Sequence, residues 1–225
     1  LVMESVLSTL LNVVGSVKAI YKYTRDLEYY ATRDPLTDLF NQRVFWELAG
    51  YEVGRATRHG YQFGLLLIDL DNFKVINDTH GHPVGDKYLQ HFARQVQDAL
   101  RAGDILARYG GDEFVAILPE ASLEAVAAVA ERVRSAIAGM HVELPDGQRL
   151  HGTGSIGLAV FPDHADSAKD LFLFADNMMY KAKAGGKARV AVPTADDVVE
   201  VFRDITEKSA LVLDAIEERR IIPYF

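Results

Sequence analysis

The chain has 225 residues, no cysteine, 49% hydrophobic and 25% charged residues, and a formal net charge of -8. This balance suits a soluble globular fold, and the lack of cysteine excludes disulfides, thiolate catalysis and cysteine-ligated zinc, in keeping with a reducing cytoplasm. No block of Lys and Arg is present, which argues against a general nucleic-acid binder, so an anionic substrate would need local cations or metal ions.

Residues 1–33 read as one helix. Val6, Leu10, Val13, Val17, Ile20, Thr24 and Leu27 recur at alternating spacings of four and three, a heptad seam. One apolar stripe with a wet reverse face suits a parallel two-stranded coil joining two copies better than a helix packed on its own domain. Glu4, Asn12 and Lys18 interrupt the run, so it is too polar to span a membrane, and no signal peptide is legible. The two ends, at Leu1 and Phe225, read as cuts from something longer.

Asp34-Pro35-Leu36-Thr37-Asp38-Leu39 breaks this helix, because proline lacks a donor and restricts its predecessor. A second helix opens at Asn41 and runs to about Arg58. Phe63 to Leu70 is nearly continuous apolar sequence, a strand buried on both faces that ends in the carboxylates Asp69 and Asp71. A helix over Asn72 to Asp78 and a turn at His80-Gly81-His82-Pro83 follow, then an amphipathic helix from Asp86 to Leu100.

Arg108-Tyr109-Gly110-Gly111-Asp112-Glu113-Phe114 is the organising stretch. Two adjacent glycines suit a hairpin turn, or bare backbone that phosphates can approach. Ile105-Leu106-Ala107 and Phe114 to Leu118 are its arms, and carboxylates beside turn amides suit a hard divalent cation carrying phosphate. Ser122 caps a further helix with Val126, Val129, Ala130, Val133 and Ile137 inside. Pro145-Asp146-Gly147 centres a hairpin over His141 to Leu150, and Ile156, Leu158 and Val160 mark another strand. Ser167 starts a helix that Gly185-Gly186 ends, and Val190 to Val192 is an edge strand. The predicted fold is α/β (α+β), a ferredoxin-like, palm-like domain with a central antiparallel sheet flanked by helices.

The signature Arg108 to Phe114 resembles that of the GGDEF family of diguanylate cyclases. Asp69-Leu70-Asp71-Asn72-Phe73-Lys74 and Ile76 to Asp86 match companion motifs in the family's order, and Asp34 to Leu39 with Asn41 and Arg43 resembles its opening motif. The resemblance covers about residues 34–192 and implies condensation of two GTP into cyclic di-GMP and two pyrophosphates. It implies Mg²⁺ (or Mn²⁺) held by Asp69, the Leu70 carbonyl and Asp112, with Glu113 a second candidate for deprotonating the ribose hydroxyl. Asp71 is assigned to the fold, as facing away from Asp69.

For the substrate, the resemblance implies guanine reading by Asn77 and Asp86, with His82 in the same motif, and phosphate contacts from Lys74, Lys183, Lys187 and the Gly110 and Gly111 backbone. Ala188 departs from the family, which usually has Asn there. Arg101-Ala102-Gly103-Asp104 ends five residues before Gly110, the spacing of the family's product-inhibition motif, and Arg132 matches its partner arginine. One GTP per domain implies a catalytic homodimer. Residues 193–225 resemble a linker and the truncated start of an EAL phosphodiesterase domain, with Ser209 to Arg220 helical and Ile221 to Phe225 opening a strand. The alternatives are a catalytically silent GGDEF module that binds GTP or cyclic di-GMP and regulates an EAL domain, and another cyclase or polymerase-like enzyme on the same architecture. The intact signature speaks against the first, and Asn77 with Asp86 against the second.

Overall fold

A computed structural model describes residues 2–144 and 147–200. The EAL-like segment, apart from its first residues, therefore lies outside the described residues. In chain order the elements are α1 (Val2–Thr32), β1 (Phe40–Asn41), α2 (Gln42–His59), β2 (Phe63–Leu70), α3 (Phe73–His80), α4 (His82–Ala99), β3 (Ile105–Gly110), β4 (Glu113–Leu118), α5 (Leu123–Gly139), β5 (His141–Glu143), β6 (Arg149–His151), β7 (Gly154–Phe161), α6 (Ala168–Ala184) and β8 (Val190–Ala191).

Six strands form one sheet in the order β1-β3-β4-β2-β7-β8. The four inner strands are antiparallel, and the two-residue edges β1 and β8 pair parallel to β3 and β7. The order β3-β4-β2-β7 is the ferredoxin-like arrangement expected from the sequence. Alternation along each strand then sends side chains to opposite sheet faces. Leu66, Ile68 and Leu70 of β2 join Phe114 and Leu158 in a core under α4 and α5. Phe63, Leu65 and Leu67 join Val115, Ile117 and Ala159 in a second core under α2 and α6. Every residue of β2 and β7 is buried, as continuous apolar runs require.

The contact between α6 and β7 depends on Gly157. A Cβ there would lie 2.1 Å from the Met179 nitrogen and 2.2 Å from the Ala175 oxygen, both helix backbone. This close approach sets α6, and hence its last turn, over the end of β2.

The caps follow the sequence reading: Ser122 and Ser167 accept from Ala125 and Asp170 amides. Two expectations are corrected. The chain between α3 and α4 turns on Gly81 alone, at φ 82°, so α3 extends to His80 and α4 starts at His82 rather than Asp86. Asn41, expected only as a helix start, forms β1 with Phe40, and it also caps α2 by accepting from the Val44 amide. Pairing to Ala107 and Arg108 defines that strand, and nothing local announces it.

Along α1 the seam residues Val17, Ile20 and Leu27 are exposed, as are Val14, Tyr21, Tyr23 and Tyr30. The side chains of Val6, Leu10 and Val13 lie outside the described ones. No described helix is long and apolar enough to cross a membrane.

Candidate active site

Strand parity decides what the end of β2 presents. Asp69 shares the face of Leu65 and Leu67, so it points toward α6, whose last turn carries Lys183. The Lys183 ammonium lies 2.7 Å from Asp69 Oδ2. On the neighbouring strand Glu113 is the cross-strand partner of Asp69, and the Leu70 amide donates to the Asp112 carbonyl at 3.2 Å. Asp69, Leu70, Asp112 and Glu113 therefore meet at one end of the sheet. The turn uses Gly111 at φ 38° and Asp112, after a bulge between Arg108 and Gly110. No Cβ clash would occur at Gly110 or Gly111, so their backbone faces open space.

Burial raises the Asp69 carboxyl above its ordinary range; Lys183 opposes this, while the Asp112 and Asp71 charges add to it. Burial and the Asp69 charge raise Glu113 likewise. A crowd of buried and partly buried carboxylates is a site that favours cations. Among the described residues no three carboxylates or histidines cage a metal by themselves. Two carboxylates and one carbonyl nevertheless fit Mg²⁺, which keeps waters and substrate phosphates in its shell and seldom takes an all-protein cage. The Lys183 ammonium already marks Asp69 as a position for positive charge.

Asp71 serves the fold, but not by pointing away, since residues two apart on a strand share a face. β2 ends at Leu70, and the buried Asp71 turns back to accept from Thr153 Oγ1 and Ser155 Oγ at 2.7 Å and the Ala188 amide at 3.0 Å. The last bond anchors the loop after α6, where Gly186, Lys187 and Ala188 have φ of 112°, 63° and 51°. Alanine in this left-handed region is strained by about 1–2 kcal/mol, which explains why an asparagine would suit the position better. Within the loop Lys187 Nζ donates to Asn72 Oδ1 at 2.7 Å.

On the other side, Asn77 of α3 lies against α4. A Cβ at position 85 would fall 1.9 Å from Asn77 Oδ1, so Gly85, the residue before Asp86, allows the approach of α4 to Asn77. Asp86, His82 and Lys74 are exposed.

At the far end of α4, Arg101 Nε meets Asp104 Oδ1 at 3.1 Å and its backbone amide meets Oδ2 at 3.0 Å. The Asp104 side chain is 1% exposed and that of Arg101 58%. Arg132 of α5 donates to the Ala99 carbonyl at 2.7 Å, which sets both arginines on the same border. Arg101 and Asp104 line a cavity of about 350 Å³ that is separate from the Asp69 cluster.

Two features escaped the sequence reading. Asp176, one face of α6 with Lys183, shares a cavity wall with Glu113, Tyr109 and Met179, and burial raises its carboxyl against the pull of Lys183. It could be read from sequence only as a polar residue of an amphipathic helix. Arg108, quoted in the signature without a role, bonds Asp34 with Nη1 at 3.1 Å and the Gly111 carbonyl with Nη2 at 2.7 Å. Burial would raise the Asp34 carboxyl, but the Thr37 and Arg108 hydrogen bonds hold it below its usual range. The end of α1 is thereby joined to the hairpin turn across 74 residues.

A family model described as "Diguanylate cyclase, GGDEF domain" matches residues 31–189. The chain is 37% identical over 186 residues to "Diguanylate cyclase DosC" of Escherichia coli K12, covering 80% of this chain and 40% of that protein. It is 39% identical over 175 residues to "Diguanylate cyclase DgcP" of Pseudomonas aeruginosa, covering 78% of this chain and 26% of that one. The chain thus spans less than half the length of these curated relatives. Among solved structures, the coiled coil and GGDEF domain of DgcB from Caulobacter crescentus, in complex with c-di-GMP, superposes with a TM-score of 0.73 at 27% identity, covering 83% of this chain and 98% of that one. A GGDEF domain structure from Pseudomonas aeruginosa gives 0.67 at 34% identity, covering 70% of this chain and 98% of that one. By motif, fold and family match, the chain belongs to the GGDEF family of diguanylate cyclase domains.

Proposed function

We propose that this chain condenses two molecules of GTP into cyclic di-GMP and two pyrophosphates. The observation that carries the reading is the meeting of Asp69, Asp112 and Glu113 at one sheet end with Lys183 on Asp69. Asp69, the Leu70 carbonyl and Asp112 would hold Mg²⁺, which would neutralise triphosphate charge when bound. Asp112 and Glu113 flank the ribose 3′-hydroxyl as proton acceptors. The raised carboxyl of Glu113 moves it toward the range a general base needs. Asn77 and Asp86, with His82 nearby, read guanine; an Asp accepting from the N1 and N2 hydrogens rejects adenine, which has no N1 donor. Lys74, Lys183, Lys187 and the open Gly110 and Gly111 backbone receive the phosphates. The curated relatives' cyclase names and the ligand of the DgcB structure support the substrate and product. Reaction on GTP fits a cytoplasmic setting, and residues 193–225 fit a linker into a further domain of the EAL type.

One GTP per domain requires two domains face to face, and the exposed seam of α1 supplies the contact. Specific activity is accordingly expected to rise with protein concentration until dimers saturate, and to fall at dilute protein when residues 1–30 are deleted. Activity assays across a dilution series, paired with sedimentation, check this. A constant specific activity on a monomeric species contradicts it.

Arg101, Asp104 and Arg132 form a product site distinct from the GTP pocket. A guanidinium fork pairs with phosphate and stacks on purines. Product bound there holds two active sites apart, a coupling between sites that appears as non-competitive loss of turnover. Arg101→Ala should relieve inhibition by added cyclic di-GMP, read from progress curves normalised to each protein's own initial rate. Equal inhibition of both proteins would leave Arg101 a surface partner of Asp104.

A further inference from the structure

Lys183 stands apart from the other candidate phosphate cations by what it touches. Lys187 is bonded to the amide oxygen of Asn72, a neutral group. The Lys183 ammonium is bonded to a carboxylate oxygen that the function needs for metal, at 2.7 Å and half-buried, with its side chain 33% and that of Asp69 10% exposed. Its charge also opposes the rise of the Glu113 and Asp176 carboxyls, so its pull extends beyond Asp69. A carboxylate oxygen at this distance from an ammonium has its best lone-pair direction occupied. A divalent cation at Asp69 would in addition repel the ammonium across a few ångströms of partly desolvated space.

Resting on the reading of Asp69 as a metal ligand, we propose that Lys183 and the divalent cation compete for the same carboxylate. Lys183 is then more than a fixed phosphate contact. It is the resident counter-ion of Asp69, released toward the triphosphate when metal and nucleotide arrive together. The exchange conserves charge pairing at each step: Asp69 passes from ammonium to metal, and the ammonium passes from Asp69 to a phosphate oxygen. Metal alone must break the Lys183 pair while leaving the lysine only the weaker pull of Glu113 and Asp176, so it binds weakly. Metal carrying a triphosphate provides that partner. The device therefore couples metal binding to the presence of phosphate, and metal binding is the readout that separates it from simple phosphate contact.

The test is a titration of the nucleotide-free protein with Mn²⁺, followed by the loss of free-ion electron paramagnetic resonance signal. Removing the competing ammonium should let Lys183→Met bind Mn²⁺ about tenfold tighter than the parent, a gain of about 1.4 kcal/mol. Lys183→Gln, which keeps a hydrogen bond to Asp69 without the charge, should shift the same way and covers the case in which the methionine variant folds poorly. Lys187→Met should stay within about twofold of the parent. Asp69→Asn placed on Lys183→Met should abolish the gain. An unchanged affinity in both Lys183 variants, with Asp69→Asn still weakening binding, overturns the competition and leaves Asp69 a metal ligand. An equal gain in Lys187→Met and Lys183→Met overturns it too, as a general effect of charge. Mn²⁺ binding indifferent to Asp69→Asn in every background removes the metal reading itself, and the competition with it.

Discussion

Asp112→Ala or Asp69→Ala is expected to lower the turnover of GTP to cyclic di-GMP by about a thousandfold or more, while the domain stays folded. Both carboxylates sit at the open end of the sheet, so neither truncation opens a cavity in the two cores under α4–α5 and α2–α6. What is lost is charge stabilisation that matters most as the phosphorus–oxygen bonds change, and removal of one such group costs about 10²–10³ in rate even where no metal is held. The measurement is steady-state production of cyclic di-GMP with magnesium as the only divalent ion, beside a thermal melt of each variant. Turnover near the parent's in either variant would remove the metal roles assigned to these residues.

Asp71→Ala has a different expected result, although it lies only two residues from Asp69. Removing this carboxylate strands the Thr153 and Ser155 hydroxyls and the Ala188 amide, with Ser155 fully buried. At about 1–3 kcal/mol for each buried group left unpaired, the domain should lose about 3–5 kcal/mol of stability. The melting temperature should fall by on the order of 10 °C. The loop carrying Lys187 would also lose its anchor, so phosphate binding weakens together with stability. Calorimetry separates the two acids: a large shift for Asp71→Ala and a small one for Asp69→Ala. Equal shifts would mean that Asp71 does not support the fold in the way its hydrogen bonds indicate.

Much of this is legible in the sequence, for physical reasons that differ by element. The strands β2 and β7 announce themselves because burial on both faces demands unbroken apolar sequence, and the caps Ser122 and Ser167 because an exposed amide at a helix start wants a hydroxyl. The hairpin reads from its glycines. Other features depend on contacts between residues far apart in sequence. β1 exists only by pairing with Arg108 and Ala107, and Asp34 meets Arg108 only because the sheet brings residues 74 positions apart together. Asp71 supports the fold not by facing away from Asp69 but through donors from β7, the turn before it and the loop before β8. Glu52, 2% exposed, reads as a solvated helix residue, yet Tyr61 and Arg55 hold it inside at 2.8 and 3.1 Å. Asp176 is hidden for the same reason, since on paper it belongs to the wet face of α6 and in the fold it shares a cavity wall with Glu113.

The reaction itself is checked by incubating the protein with GTP and magnesium at concentrations where dimers form, then separating the nucleotides. Cyclic di-GMP and pyrophosphate are expected in a ratio of one to two, none of either from ATP, and about a thousandfold less with Asp112→Ala. GTP left intact at every protein concentration, or converted to a product other than cyclic di-GMP, would contradict it.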